Sequence, residues 1–164
     1  MPTLLNSSSD LPGYVVDLQA IYGAPSQAGF GSAVFYESVD QPEPLDQVAL
    51  KTYRYFVGDR WERWGEAAWM APWKVVYRRL PDTSRQIVAE MQAISVSDAA
   101  LSLSMILTVD NAEAAHRALS DAYDDATVTN LAIYTIGDGA AMSGVLVVGR
   151  RKSGETTLLI FLLD

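Results

Sequence analysis

Cysteine is absent from these 164 residues, and histidine occurs only once. The first absence excludes a disulfide scaffold, a thiol nucleophile and any cysteine-ligated zinc or iron–sulfur site. With a single histidine as well, the chain has too few nitrogen and sulfur donors to suggest a transition-metal centre. No metal and no cofactor is expected. Long apolar runs are also missing: the longest, Leu158 to Leu163, is far too short to span a bilayer. The N-terminus carries no basic segment ahead of an apolar one, so no secretory signal is read there. A soluble, cytoplasmic protein with no membrane role is the expectation. Neither a Walker loop nor a G-x-S-x-G elbow occurs.

Basic residues are missing from positions 1–50, which hold six acids. Positions 51–85 hold eight of the twelve Lys and Arg against four acids, and positions 86–164 hold ten acids against four bases. With a net charge of −8, the chain repels nucleic acid, whose binding rests on neutralised phosphates. A basic middle on an acidic body suits a small anion or an acidic protein patch instead.

Apolar residues make up 49% of the chain and charged residues 20%, a globular balance that fits one ordinary domain. Residues 1–12 read as a flexible N-terminal tail and 13–164 as a single domain. Val15, Leu18, Ile21 and Tyr22 recur at helical spacing, and Gly23 can end that helix. Ser32 to Val39 reads as a strand, broken afterwards by Pro42 and Pro44. Thr52 to Val57 and Arg60 to Trp64, joined by Gly58-Asp59, read as a hairpin. A rival reading makes Asp59 the N-cap of a helix that buries Trp61, Trp64 and Ala68. Trp73 to Arg79 follows as a strand.

Gln86 to Val96 and Leu101 to Val109 read as two further strands that bend at Ser97-Asp98, because Leu101, Leu103, Met105, Leu107 and Val109 alternate with their neighbours. Asp110-Asn111-Ala112-Glu113 has a capping-box arrangement before an alanine-rich helix that reaches Tyr123. Thr129 to Ile136, Val145 to Arg150 and Thr156 to Leu163 are strands with short, turn-rich connections, hence antiparallel. The uniformly apolar Leu158–Leu163 run predicts a strand covered on both faces. The fold class is therefore α+β: a curved antiparallel sheet of about six strands, packed against one main helix (about 111–123) and a shorter N-terminal helix.

Three features have bland readings that outweigh the functional ones. Gly137-Asp138-Gly139 follows a strand, as a phosphate-binding turn does, but strand sequence follows it and no βαβ unit fits; it is a structural turn. His116 lies beside the buried stripe of the alanine-rich helix and is expected to pack at its boundary. Asp121, Asp124 and Asp125 crowd the end of that helix, where the macrodipole favours cations. Their spacing is not that of a calcium loop, and a solvated helix end facing Arg117 or another basic group is expected.

The middle of the chain is different. Residues 53–77 hold half of the sixteen aromatics, including all four tryptophans, interleaved with Arg54, Arg60, Arg63, Lys74 and, just beyond, Arg78 and Arg85. Trp and Arg dominate interface hot spots. In the hairpin register Arg54 opposes Arg63, which calls for a carboxylate, an aromatic face or an anion. The candidate binding residues are Arg54, Arg63, Trp61, Trp64, Trp69, Trp73 and Tyr55, with no catalytic or metal residue among them. The leading function is a non-enzymatic binding or adaptor domain that contacts a protein partner, or a small anionic or planar ligand, through this surface. The alternatives are a small-molecule binder or enzyme with a pocket between sheet and helices, and a structural homodimer.

Overall fold

The computed structural model of the protein describes residues 11–80 and 84–163, so most of the expected N-terminal tail lies outside the described residues. The order of elements is α1 (Gly13–Tyr22), β1 (Gly31–Ser38), α2 (Leu45–Val57), α3 (Arg60–Trp64), α4 (Glu66–Met70), β2 (Lys74–Arg78), α5 (Ile87–Ala93), α6 (Ser97–Leu107), α7 (Ala112–Tyr123), β3 (Val128–Gly137), β4 (Ser143–Arg151) and β5 (Glu155–Leu163). The strands form one sheet in the order β1-β5-β4-β3-β2, and every neighbouring pair is antiparallel.

The central strands explain the layering. Along β4, Val145 and Val147 face one core while Leu146 and Val148 face the other, and β5 divides Leu159 from Leu158 and Ile160 in the same way. Successive side chains leave opposite faces of a strand, so an unbroken apolar run needs cover on both. One face is covered by α1, α5, α6 and α7 through Leu18, Ile87, Leu103, Leu119 and Tyr123. The other is covered by α2, α3 and α4 through Val48, Tyr53, Phe56, Trp61 and Trp69. The covered Leu158–Leu163 strand is thus as the sequence predicts. So are β1, β2, β3, β4, α1 with its end at Gly23, and α7 with Asn111 as N-cap, whose side chain accepts from the Ala114 amide.

Three expectations are corrected. Among the described residues the sheet has five strands rather than six, and seven helices flank it rather than two. The hairpin read across Thr52–Trp64 is instead the second half of α2 followed by α3. α2 buries Val48, Ala49, Thr52, Tyr53, Phe56 and Val57, a helical stripe whose first turn lies upstream of the segment read as a strand. Gly58, with φ of 69°, ends that helix. A left-handed glycine suits a hairpin turn and a helix C-terminus equally well. In the rival reading Trp61 is buried as expected, but Asp59 makes no side-chain capping bond and Gly65 ends the helix.

The strands read over Gln86–Val96 and Leu101–Val109 are α5 and α6. α6 buries Ala99, Ser102, Leu103, Ile106 and Leu107, a helical face, and begins at the Ser97-Asp98 pair read as a bend. The misleading alternation came from Leu101 and Met105, which sit on its outer face and stay exposed. Apart from Ile106, the helix is built of Ala, Leu, Ser, Met and Asp98, which lack the β-branched character of a strand. Among the described residues, no helix is long and apolar enough to cross a membrane.

Candidate interaction surface

The four tryptophans follow one another through α3, α4 and the lead into β2, so the short helices stack them. Trp69 is fully buried and lies nearly parallel to both Trp61, with ring centroids 6.4 Å apart, and Trp64, at 5.3 Å. Its indole N–H donates to the Arg60 carbonyl at 3.0 Å. Tyr53 stands edge-on to Trp61 at 5.1 Å and stacks on Trp73 at 5.5 Å, which in turn stacks on Tyr134 of β3 at 4.4 Å. The Tyr53 hydroxyl lies 2.7 Å from the carbonyls of Trp69 and Gly137 and accepts from the Gly137 amide at 3.0 Å. Burial pushes its pKa well above the ordinary tyrosine value. This block fastens the small helices to the end of β3.

The seven candidate binding residues divide between core and surface. Trp61 and Trp69 are core, Trp73 is half-buried in its stack, and Tyr55 is half-buried with its ring edge-on to Phe35. Trp64, Arg54 and Arg63 face solvent. The opposed arginines of the hairpin register do not exist, because both lie on helices. Arg54 spans the Trp61 ring, 5.8 Å from its centroid, with long contacts to Glu62 and Glu66 at 3.8 and 4.0 Å. Arg63 meets no charged or aromatic partner among the described residues.

Two neighbours were not among the candidate binding residues. Arg60 lies over the Trp64 ring at 5.5 Å and donates to the Gly29 carbonyl, which ties α3 to the loop before β1. Phe30, next in that loop, is 64% exposed. An apolar residue between two glycines was the only hint of it.

A second feature lies along β2. Between this strand and α5 runs a cleft of about 540 Å3, lined on its apolar side by Val76, Ala89, Ala93, Ile94 and Val96. Tyr77 and Glu90 also line it, but Glu90 is fully engaged. It accepts from Tyr77 Oη and Arg79 Nε on one oxygen, and from Arg79 Nη2 at 2.6 Å and the Gln86 amide at 3.2 Å on the other. Burial raises the Glu90 pKa, yet the hydrogen bonds from Arg79 and Tyr77 outweigh this and hold it below the ordinary carboxylate range. Burial, then the bond to Glu90, pushes Tyr77 up to about 12. With every lone pair taken, Glu90 has none left for general-base chemistry; it anchors the fold.

The acidic helix end has its cations. Arg79 donates to the Tyr123 carbonyl at 2.6 Å and to Asp124 at 3.0 Å, while Arg151 donates to the carbonyls of Asp121 and Ala122. Two arginines therefore cap the last turn of α7 and relieve the unfavourable dipole. Asp125, exposed, is held low by hydrogen bonds from the Thr127 hydroxyl and amide. His116 is half-buried with Nε2 2.8 Å from the Leu107 carbonyl, a boundary contact between α7 and α6. Gly137-Asp138-Gly139 is the β3–β4 turn, closed by Asp138 Oδ1 accepting from the Ala140 and Met142 amides. Among the described residues, no three His, Cys, Asp or Glu side chains group to hold a metal ion.

No protein-family model matches this chain, and neither any curated protein nor any solved structure is detectably similar to it. Function must therefore be argued from the surface itself.

Proposed function

We propose that this chain is a non-enzymatic interaction domain that seats an acidic patch of a partner protein on Trp64, Arg63, Arg54 and Phe30. One observation carries the reading. The Trp64 indole, stacked on buried Trp69 and held by Arg60, still offers 44% of its surface to solvent. A ring fixed on one side and open on the other loses little freedom on docking, and Trp and Arg supply most hot-spot energy. The flanking charges select the partner. Arg63 has no charged or aromatic partner among the described residues, and the exposed contacts of Arg54 to Glu62 and Glu66 are too long to be worth much. On a body of net charge −8, these guanidinium groups direct an acidic surface here and away from the rest.

The homodimer reading fits less well. A two-fold contact through this patch brings each cation toward its own copy. The test is capture from native lysate with quantified recovery, comparing the wild type with Trp64→Ala and Arg63→Glu. Each variant should lower recovery of a discrete acidic partner by about tenfold, the loss of a hot-spot contact. Recovery unchanged by both removes the proposal.

A further inference from the structure

We propose that the open edge of β2 accepts an extended peptide segment of alternating apolar and acidic residues as an added strand of the sheet. This site is separate from the Trp64 surface and does not rest on it.

The two edges of the sheet are not equivalent. At the β1 edge, the Val34 amide donates to the Gly23 carbonyl at 2.9 Å, and the Gln19 side-chain amide donates to the Val34 carbonyl at 3.2 Å. Ser32 Oγ adds a bond to the Tyr22 carbonyl at 2.6 Å. The end of α1 therefore occupies that edge at Val34, in the middle of the strand. β2, at the other end of the sheet, pairs only with β3, and among the described residues no other segment takes up its outer backbone groups. Unpaired strand groups invite another strand, which would sit roughly 4.8 Å away. What lies there is the cleft of about 540 Å3, walled by α5 and the connection into α6.

The register says what such a strand would meet. Tyr77 pairs with Ile133, whose face looks toward α5, α6 and α7; Arg78 pairs with Ala132, which faces the α2–α4 layer. Alternate residues of an added strand would therefore enter the apolar cleft beside Val76, Ile94 and Val96, while those between would lie on the face that carries Arg78. Arg78 is exposed and supplies the charge on that face; Lys74 pairs with Thr135 and so lies on the cleft face, where it keeps a 4.0 Å contact to Asp98 of α6. Apolar side chains suit the first set of positions and carboxylates the second.

A second copy of this chain does not fit. Two β2 strands paired about a two-fold axis would gather Lys74 and Arg78 from both, four cations on one short ribbon. The edge is thus guarded against itself and open to an acidic strand.

The experiment titrates the full chain into a fluorescein-labelled heptapeptide of alternating glutamate and valine and follows anisotropy. The same titration is run with a lysine–valine peptide, and with the glutamate–valine peptide N-methylated at alternate residues in the two possible phases. The acidic peptide is expected to bind, and the lysine peptide to bind at least about tenfold more weakly. One phase of N-methylation should cost about 100-fold and the other little, because only alternate amides reach the edge. Arg78→Glu should reverse the charge preference, while Trp64→Ala should leave binding unchanged. Since Arg78 is exposed, the variant is expected to stay folded. Amide exchange in the wild type supplies a check independent of any variant: β2 should gain protection when the peptide is present. Equal binding of both charges, indifference to N-methylation, or peptide-free dimerisation through β2 would each overturn the proposal.

Discussion

Arg79 leaves the end of β2 and reaches between α5 and the last turn of α7, with only 5% of its side chain exposed. It donates to both oxygens of Glu90, to Asp124 and to the Tyr123 carbonyl. Arg79→Ala removes these bonds at once and leaves Glu90, itself 8% exposed, without its cation. Breaking a buried ion pair from one side costs about 3–5 kcal/mol. For a chain of this size that lowers the melting temperature by roughly 10 °C. Thermal and urea melts followed by circular dichroism measure it.

The pH dependence supplies a signature that mere cavity formation lacks. In the wild type Glu90 is held below its unfolded value, so its contribution is present above the unfolded pKa, roughly 4.3. It is lost as pH falls through the lower folded value. Without Arg79, burial dominates and the Glu90 pKa rises above the unfolded value. The variant should then recover part of its lost stability on acidification from pH 7 toward 5, where the wild type does not. Arg79→Met with Glu90→Leu, which removes both charges, should be less harmful than Arg79→Ala alone. A loss under about 1 kcal/mol, or a variant with the wild-type pH profile, would refute the reasoning.

Gly149→Ala should destabilise by about 1–3 kcal/mol in the same melts, because the new Cβ would lie 2.7 Å from the buried Tyr123 ring. Trp69→Ala should cost about 3–5 kcal/mol, the loss of a fully buried indole at the centre of the stack. Trp64→Ala should cost well under half of that, since much of its ring is already in water, and denaturant titration separates the two.

The sequence was legible where local chemistry and burial agree. Asn111 and the alanines behind it mark α7, and the short turns around Gly139 and Gly154 separate three apolar strands, so β3, β4 and β5 could be read directly. α6 was obscured because Leu101 and Met105 are apolar yet exposed, which turned a helical stripe into an alternation. α2 was cut in half because its first buried pair, Val48-Ala49, lies before the aromatic run that drew attention. The clustering of tryptophan with arginine was visible, but the division into core Trp61 and Trp69 and open Trp64 depends on how α2 and the two short helices after it turn at Gly58 and Gly65. The Arg79 cluster was unreadable, since its partners lie 11 and 45 positions away. The cleft beside β2 depends on α5, which was itself read as a strand.

The central functional claim is that Trp64 meets a partner. A photo-crosslinking amino acid incorporated in place of Trp64, with Leu101 replaced in the same way as an exposed control on another helix, tests it in the intact cell. Irradiation should join position 64 to one discrete acidic protein that position 101 does not capture. No adduct at position 64, or the same adducts from both positions, would contradict the account.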